Sequence, residues 1–281
     1  MKFSALDARP VIGRACLHRQ LRSSRCEACL NACPLGAITL EEDRIRLDAD
    51  SCTSCGNCLF VCPTAAIENL PAPTRSISGS TLVGPFSVVP PTVEELLAWH
   101  SEQGIRSVET DPLTSPSWLM AIAALNLRLK QLGEPLWFIV PPEEKAINSG
   151  RRRWLHIRKK EVLTTGISAP SAFKKRSFTL TLDKNLCYLC GACSRICPKN
   201  ALEINDENFT VNHANCSGCQ ACIDVCLPQA LQRVEDLPSK VTQHALTLAQ
   251  CKTCHHTFRA WSNNVPECPV CQRHGFGMRE A

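Results

Sequence analysis

The stretch CYLCGACSRICPKNAL, residues 187–202, decides how this chain is read. Its cysteines follow the spacing C-x2-C-x2-C-x3-C, and Pro198 comes directly after the last. Gaps of two residues let a looping backbone aim Cys187, Cys190 and Cys193 at one point. The proline then opens a helical turn that carries Cys197 away from the other three. The same run recurs at Cys52-Cys55-Cys58-Cys62-Pro63 and at Cys216-Cys219-Cys222-Cys226. A shortened form stands at Cys26-Cys29-Cys33-Pro34, with Ser23 where a first cysteine is expected.

These four motifs form a repeat. Cys33 to Cys62 and Cys197 to Cys226 are both 29 residues, and the two pairs are offset by 164 (Cys33 to Cys197). The flanks agree: CPLGAI, CPTAAI, CPKNAL and CLPQAL, with the proline of the fourth displaced to Pro228. AITLEEDRIRLDAD (37–50) and ALEINDENFTVNHAN (201–215) each read as a hairpin around an acidic turn. Regularity of this kind indicates two copies of one unit.

The motifs resemble the bacterial two-[4Fe-4S] ferredoxin family, over roughly half of the chain. In that family three cysteines of one motif and the last of its partner motif bind each cluster. The resemblance implies one cluster on Cys52, Cys55, Cys58 and Cys33, a second on Cys187, Cys190, Cys193 and Cys226, and a third on Cys216, Cys219, Cys222 and Cys197. Four separate zinc knuckles would not require the intact run three times. A fourth cluster would take Cys26, Cys29 and Cys62, and its last ligand is open. Ser23 is in register, but a hydroxyl is a poor iron ligand beside a thiolate. An open or three-iron cluster would need no ligand there. Cys16, ten residues before Cys26, is favoured by count: four clusters use 16 cysteines and a C-terminal site four, together the 20 present. The opening around Cys16 also resembles ferredoxin-like proteins encoded beside proteobacterial formate dehydrogenases.

That C-terminal site is CKTCHHTFRAWSNNVPECPVC, residues 251–271, or Cys251-x2-Cys254-x13-Cys268-x2-Cys271. Two such knuckles signal a tetrahedral four-sulfur site. Zinc ribbons and rubredoxins share the pattern. Gln272 after the second knuckle, and few aromatics beyond Phe258, Trp261 and Phe276, favour zinc over iron. His255, His256 and His274 are read as surface side chains, since four sulfurs close the site.

Residues 71–176 contain no cysteine. After a Pro/Ser-rich linker, LPAPTRSISGS (70–80), the pattern predicts a βαβαβ domain: strands in TLVGPFSVV, IRSVET and PLWFIV, helices in TVEELLAWHSEQG and SPSWLMAIAALNLRLKQLG. Thr92 is the expected N-cap, with Glu95 three residues on, and Gly104 and Gly133 are the expected stops. The turn VPPTV has no glycine, so no phosphate-binding loop is predicted. The domain is read as a spacer or docking body. The basic stretches RRRWLHIRKK (151–160) and FKKR (173–176) read as solvated faces or a contact for an acidic redox partner. They carry too few aromatics for nucleic-acid binding.

The expected fold class is therefore α+β: ferredoxin-like modules at 1–70 and 177–240, an α/β domain at 71–176, and a zinc-ribbon-like segment at 241–281. The N-terminal sequence lacks the apolar core of a secretory signal, and the longest apolar-leaning run, WLMAIAALNLRL, falls short of a bilayer span. With 20 cysteines, a reducing cytoplasm favours metal ligation over disulfides. A formal net charge of +5 is modest. No catalytic constellation accompanies the cysteines. The expectation is an electron carrier, not an enzyme, working with a redox enzyme such as formate dehydrogenase. The rival reading is a redox-sensing or assembly factor for a metalloenzyme.

Overall fold

The computed structural model describes residues 9–111, 113, 115–142, 162–167, 178–235 and 241–273. The basic stretches at 151–160 and 173–176, His274 and Phe276 lie outside the described residues. The chain groups into two compact units, Met1–Cys16 with Glu27–Lys175 and Leu17–Cys26 with Arg176–Ala281. It is a mixed α/β structure.

In the first unit, β1 (Val11–Ile12) pairs antiparallel with β4 (Ile67–Glu68). Between them, α1 (Leu17–Gln20) lies in the excursion that groups with the second unit. Next come α2 (Ala28–Ala32), β2 (Ile38–Glu41), β3 (Arg44–Leu47) and α3 (Asn57–Val61). The expected acidic hairpin is β2–β3. Its two loop residues, Glu42 and Asp43, have φ of 47° and 61°, the left-handed pair whose twist matches that of the flanking strands. Ile38 and Ile45 turn inward from it.

The cysteine-free region forms a five-stranded sheet in the order β8-β7-β6-β5-β9. Its members are β5 (Thr74–Ser78), β6 (Thr81–Val83), β7 (Ser107–Glu109), β8 (Phe138–Val140) and β9 (Leu163–Gly166). β6, β7 and β8 run parallel, joined through α4 (Val93–Glu102) and α5 (Pro116–Gln131) in the βαβαβ order the sequence predicts. The stretch read as a linker needs correction. Thr74–Ser78 is a strand, paired antiparallel with β6 and β9. Its Arg-Ser-Ile-Ser alternation fills an inner sheet position, with Ile77 and Ser78 buried.

Leu96, Leu97 and Trp99 of α4 and Trp118, Ile122, Leu125 and Leu129 of α5 bury against Leu82 and Val108. Thr92 caps α4 as expected, accepting from Glu95 N–H at 3.2 Å. The Glu95 carboxylate does not turn back to the cap. It is fully buried, accepts from Arg75 Nε (2.8 Å) and the second guanidinium nitrogen (3.1 Å), and from Trp99 Nε1 (3.2 Å).

The second unit repeats the cysteine module of the first, with longer first and last strands. β10 (Phe178–Leu182) pairs antiparallel with β13 (Leu231–Glu235), and α6 (Ala192–Ile196) packs on α7 (Ala221–Asp224). β11 (Leu202–Ile204) and β12 (Asn208–Asn212) form the second acidic hairpin. Here Asn205 Oδ1 closes the turn by accepting from the N–H of Glu207 and Asn208. A third strand, β14 (Val241–Ala245), adds to β12. The C-terminal hairpin of β15 (Thr247–Gln250) and β16 (Thr257–Ala260) follows, then α8 (Pro269–Arg273). Among the described residues no helix is long and apolar enough to cross a membrane.

Candidate metal centres

Each cysteine loop is shaped by backbone before it is shaped by side chains. The residue before the second cysteine of a full motif is left-handed each time: Ser54 (φ 56°), Leu189 (φ 56°) and Gly218 (φ 71°). The residue after that cysteine is left-handed as well: Gly56 (81°), Gly191 (73°) and Gln220 (63°). These last three are also the N-caps of α3, α6 and α7. Alternation of this kind turns successive N–H groups toward one side, a concavity suited to an anion or an iron–sulfur group. A third left-handed residue sits three places after the last cysteine of every motif: Gly36, Ala65, Asn200 and Gln229. At the last three of these motifs the next residue points its N–H back at the cysteine sulfur. Ala66 donates to Cys62 Sγ (3.2 Å), Ala201 to Cys197 Sγ (3.2 Å) and Ala230 to Cys226 Sγ (3.3 Å).

Three cavities result. One, in the first unit, is lined by Cys33, Cys52, Cys55 and Cys58. Two, in the second unit, are lined by Cys197, Cys216, Cys219 and Cys222, and by Cys187, Cys190, Cys193 and Cys226. Each takes three sulfurs from one motif and the last sulfur of the other. The first is a concave space that opens in part to solvent. The remaining lining is largely aliphatic, with Leu35, Ile38, Leu47 and Leu70 in the first. Four sulfur donors facing one largely apolar space fit a [4Fe-4S] cube.

The electrostatics show the same crowding of thiols, and at Cys222 the Cys193 thiol of the neighbouring set contributes as well. Burial pushes the Cys58 thiol up to about 12, and Cys55, Cys52 and Cys33 add to the shift. Burial does the same to Cys193, again to about 12, with Cys187, Cys190 and Cys226 contributing. Cys222 is raised by burial first, then by Cys219 and Cys216. Thiols crowded in this way ionise together only against a cation, which the iron of a cluster supplies.

The shortened first motif differs. Glu27, in the position of Gly56, Gly191 and Gln220, has φ −117° and not a left-handed conformation. Cys16, Cys29 and Cys62 belong to the first unit, and Cys26 to the segment that groups with the second. Cys16 is buried, and its backbone setting is similar to that of Cys187, with a turn one residue shorter. In the second unit Asp183 N–H donates to Ala230 O (2.9 Å) and Cys187 N–H to Asp183 O (3.1 Å). In the first, Gly13 N–H donates to Ala66 O (2.7 Å) and Cys16 N–H to Gly13 O (3.2 Å). His18, which the sequence did not single out, is buried beside this motif. Its Nε2 is bonded to Cys26 O (2.8 Å), while Nδ1 has no hydrogen-bond partner among the described residues.

At the C-terminus the sulfurs of Cys251, Cys254, Cys268 and Cys271 all lie within 4.8 Å of one another. The Cys254–Cys268 separation is 3.9 Å, close to the edge of about 3.8 Å expected of a tetrahedron with metal–sulfur bonds of about 2.3 Å. Amides converge here too: Cys268 N–H donates to Cys251 Sγ (3.3 Å) and Cys271 N–H to Cys268 Sγ (3.4 Å). Backbone donors from Cys254 and Cys268 pull the Cys251 thiol down to about 6, while burial holds Cys271 up near 12. His255 and His256 are exposed and stand apart from this set. Among the described residues the knuckles have almost no core of their own, Phe258 being the one apolar side chain besides the cysteines that packs against them. Trp261 packs instead against the second module. The signal for this was a lone tryptophan in a segment with no apolar mass to receive it.

Comparison with known proteins follows the same pattern. The family model of the 4Fe-4S dicluster domain matches residues 24–66 and 186–230. Over 43 residues the chain is 44% identical to a component of an ion-translocating oxidoreductase complex of Methanosarcina acetivorans, covering 15% of this chain and 16% of that protein. It is 38% identical over 48 residues to an uncharacterised ferredoxin of Methanocaldococcus jannaschii, covering 17% of this chain and 77% of the relative. It is 31% identical over 62 residues to the PorD component of pyruvate synthase from the same organism, covering 22% and 72%.

Proposed function

The chain belongs to the 4Fe-4S dicluster ferredoxin family, and from that membership we propose that it is an electron-transfer protein with four [4Fe-4S] clusters and one C-terminal zinc, serving an oxidoreductase as partner or subunit. The ligand sets are Cys52/Cys55/Cys58/Cys33, Cys187/Cys190/Cys193/Cys226, Cys216/Cys219/Cys222/Cys197 and Cys16/Cys26/Cys29/Cys62. Zinc takes Cys251, Cys254, Cys268 and Cys271, with rubredoxin-like iron as the alternative. The observation that carries the reading is the crossed lining of three cavities, three sulfurs from one motif and one from its partner.

A bound cluster supplies a one-electron couple with little rearrangement. The chain's part is to hold four thiolates, to offer N–H groups to their sulfurs and to wall off water. These levers set where each couple poises. The matched backbone hydrogen bonds at Gly13/Cys16 and Asp183/Cys187 support Cys16 as the missing first ligand. The α/β domain at 71–176 acts as a spacer or docking body. Formate dehydrogenase is the nominated partner, from the resemblance around Cys16.

Replacing Cys16 by Ser tests the least regular ligand. The variant should lose one cluster and keep about 12 iron, while Ser23→Ala should keep all four. A Cys16→Ser chain with unchanged iron and spectrum would contradict the assignment. Anaerobic co-purification with the native partner tests the role. An oxidoreductase supports electron transfer, and a metalloenzyme maturation factor would replace that reading with the assembly one.

A further inference from the structure

The C-terminal hairpin is fastened to one cluster site of the second module. Trp261 follows β16 directly, and its indole Nε1–H donates to the carbonyl of Cys187 at 3.0 Å. The ring itself packs with the second module, 6.1 Å from the Phe209 ring and edge-on to His244 at 6.2 Å, with the Lys184 ammonium 5.4 Å from its centroid. A second tie runs from Arg259 of β16 to Asp206 of the β11–β12 turn, at 2.9–3.0 Å. The two sites share a cleft of about 400 Å³. Tyr188, Leu189 and Cys190 line it from the module, and Phe258, Cys268 and Val270 from the knuckles. Of the described cysteines, Cys190 is the exposed one.

We propose that the C-terminal four-cysteine site is a metal-dependent clamp on the cluster of Cys187, Cys190, Cys193 and Cys226, with Trp261 as its positioning residue. The inference rests on the ligand sets of the proposed function. The knuckles have almost no core, so the bound cation is what fixes their shape, and with it the reach of Trp261 to Cys187. The clamp acts on the couple in two ways that agree in sign. Four thiolates around a divalent cation leave a net charge of about −2 beside the cluster, and a like charge opposes the extra electron of the reduced state. The hairpin also covers part of the site at Cys187, whose carbonyl Trp261 holds, and water admitted there would favour the more charged, reduced form. A clamped cluster is therefore harder to reduce than the same cluster unclamped. Residues 71–176, which follow the first module, contain no cysteine and so no second four-sulfur site.

The test is a reductive titration of the full chain, followed by absorption and by the paramagnetic signal of each reduced cluster. Three forms are compared: unaltered, Trp261→Phe and Cys254→Ser. Cys254→Ser removes the metal, and Trp261→Phe keeps a ring but loses the N–H donor. The expected result is four clusters in all three forms, metal retained in Trp261→Phe, and one potential alone less negative in both variants. The larger shift should be in Cys254→Ser, and the same cluster's paramagnetic signal should change. Metal loss with all four potentials and signals unmoved overturns the clamp while leaving the four-cluster reading intact. If Trp261→Phe fails to fold, Cys254→Ser alone decides between these results. An unaltered chain without iron–sulfur absorption overturns both the clamp and the function it rests on.

Discussion

Gly218 shows how tightly single residues hold a cysteine loop. Its φ is +71°, and an added Cβ would lie 2.4 Å from Cε2 of Phe178. Left-handed strain and overpacking together put Gly218→Ala at about 2–4 kcal/mol of lost stability. Gly36 is also left-handed, at φ +64°, but nothing lies within 4 Å of an added Cβ. Gly36→Asn should therefore cost under about 1 kcal/mol, since Asn tolerates this conformation. Chemical denaturation of the two variants checks the contrast, and equal losses would contradict it. The cysteines themselves were legible in the sequence, because gaps of two and three residues leave the chain little choice about where sulfurs point. The left-handed positions between them were not. Ser54, Leu189 and Gln220 adopt that conformation without being glycine, so composition gave no sign of them. His18 was equally hidden, since its burial depends on the excursion between Cys16 and Cys26.

At the scale of elements, His213 ties three strands of the second module together. It stands in the short turn His213–Asn215 that follows β12. Its Nδ1 accepts from Leu180 N–H of β10 (3.2 Å), and its Nε2 pairs with Thr242 Oγ1 of β14 (3.0 Å). Burial lowers its pKa below the usual 6.5. The folded state thus prefers the neutral ring, and the stability this contributes is present above about pH 6.5 and is lost as pH falls through the lowered value. His213→Ala should cost about 1–3 kcal/mol by stranding the Leu180 donor. His213→Asn restores an acceptor that does not titrate, so its unfolding midpoint should depend less on pH between about 5 and 7. Thermal unfolding across that range checks both, and parallel pH curves for His213→Asn and the unaltered chain would contradict the account. Helices α4 and α5 were legible from the Thr92 cap and the Gly104 and Gly133 stops. β5 was not, because Pro71, Pro73 and three serines around it read as a linker, and only pairing with β6 and β9 makes Thr74–Ser78 a strand. The place of Cys16 also depends on pairing. Cys16 follows the β1–β4 pair as Cys187 follows the β10–β13 pair, one residue closer to its strand, and the longer excursion after it hides the likeness in the sequence.

For the whole molecule, the 164-residue offset is the organising fact: one cysteine pattern occurs twice, and the two copies differ. The first lacks a cysteine at Ser23, ahead of Cys26, and the second is followed by a C-terminal hairpin tied to Cys187 through Trp261. The doubling was plain in the sequence, since the cysteines from Cys26 to Cys62 recur at the same spacing from Cys190 to Cys226. The tie was not, because it joins residues 74 positions apart through one hydrogen bond. What the 20 cysteines hold can be counted. Iron, acid-labile sulfide and zinc should be measured per chain on protein purified without oxygen. The account predicts about 16 iron, about 16 sulfide and about one zinc. About 15 iron with sulfide still near 16 would contradict the fourth ligand set, and iron far below that, with several zinc per chain, would contradict the four-cluster carrier itself.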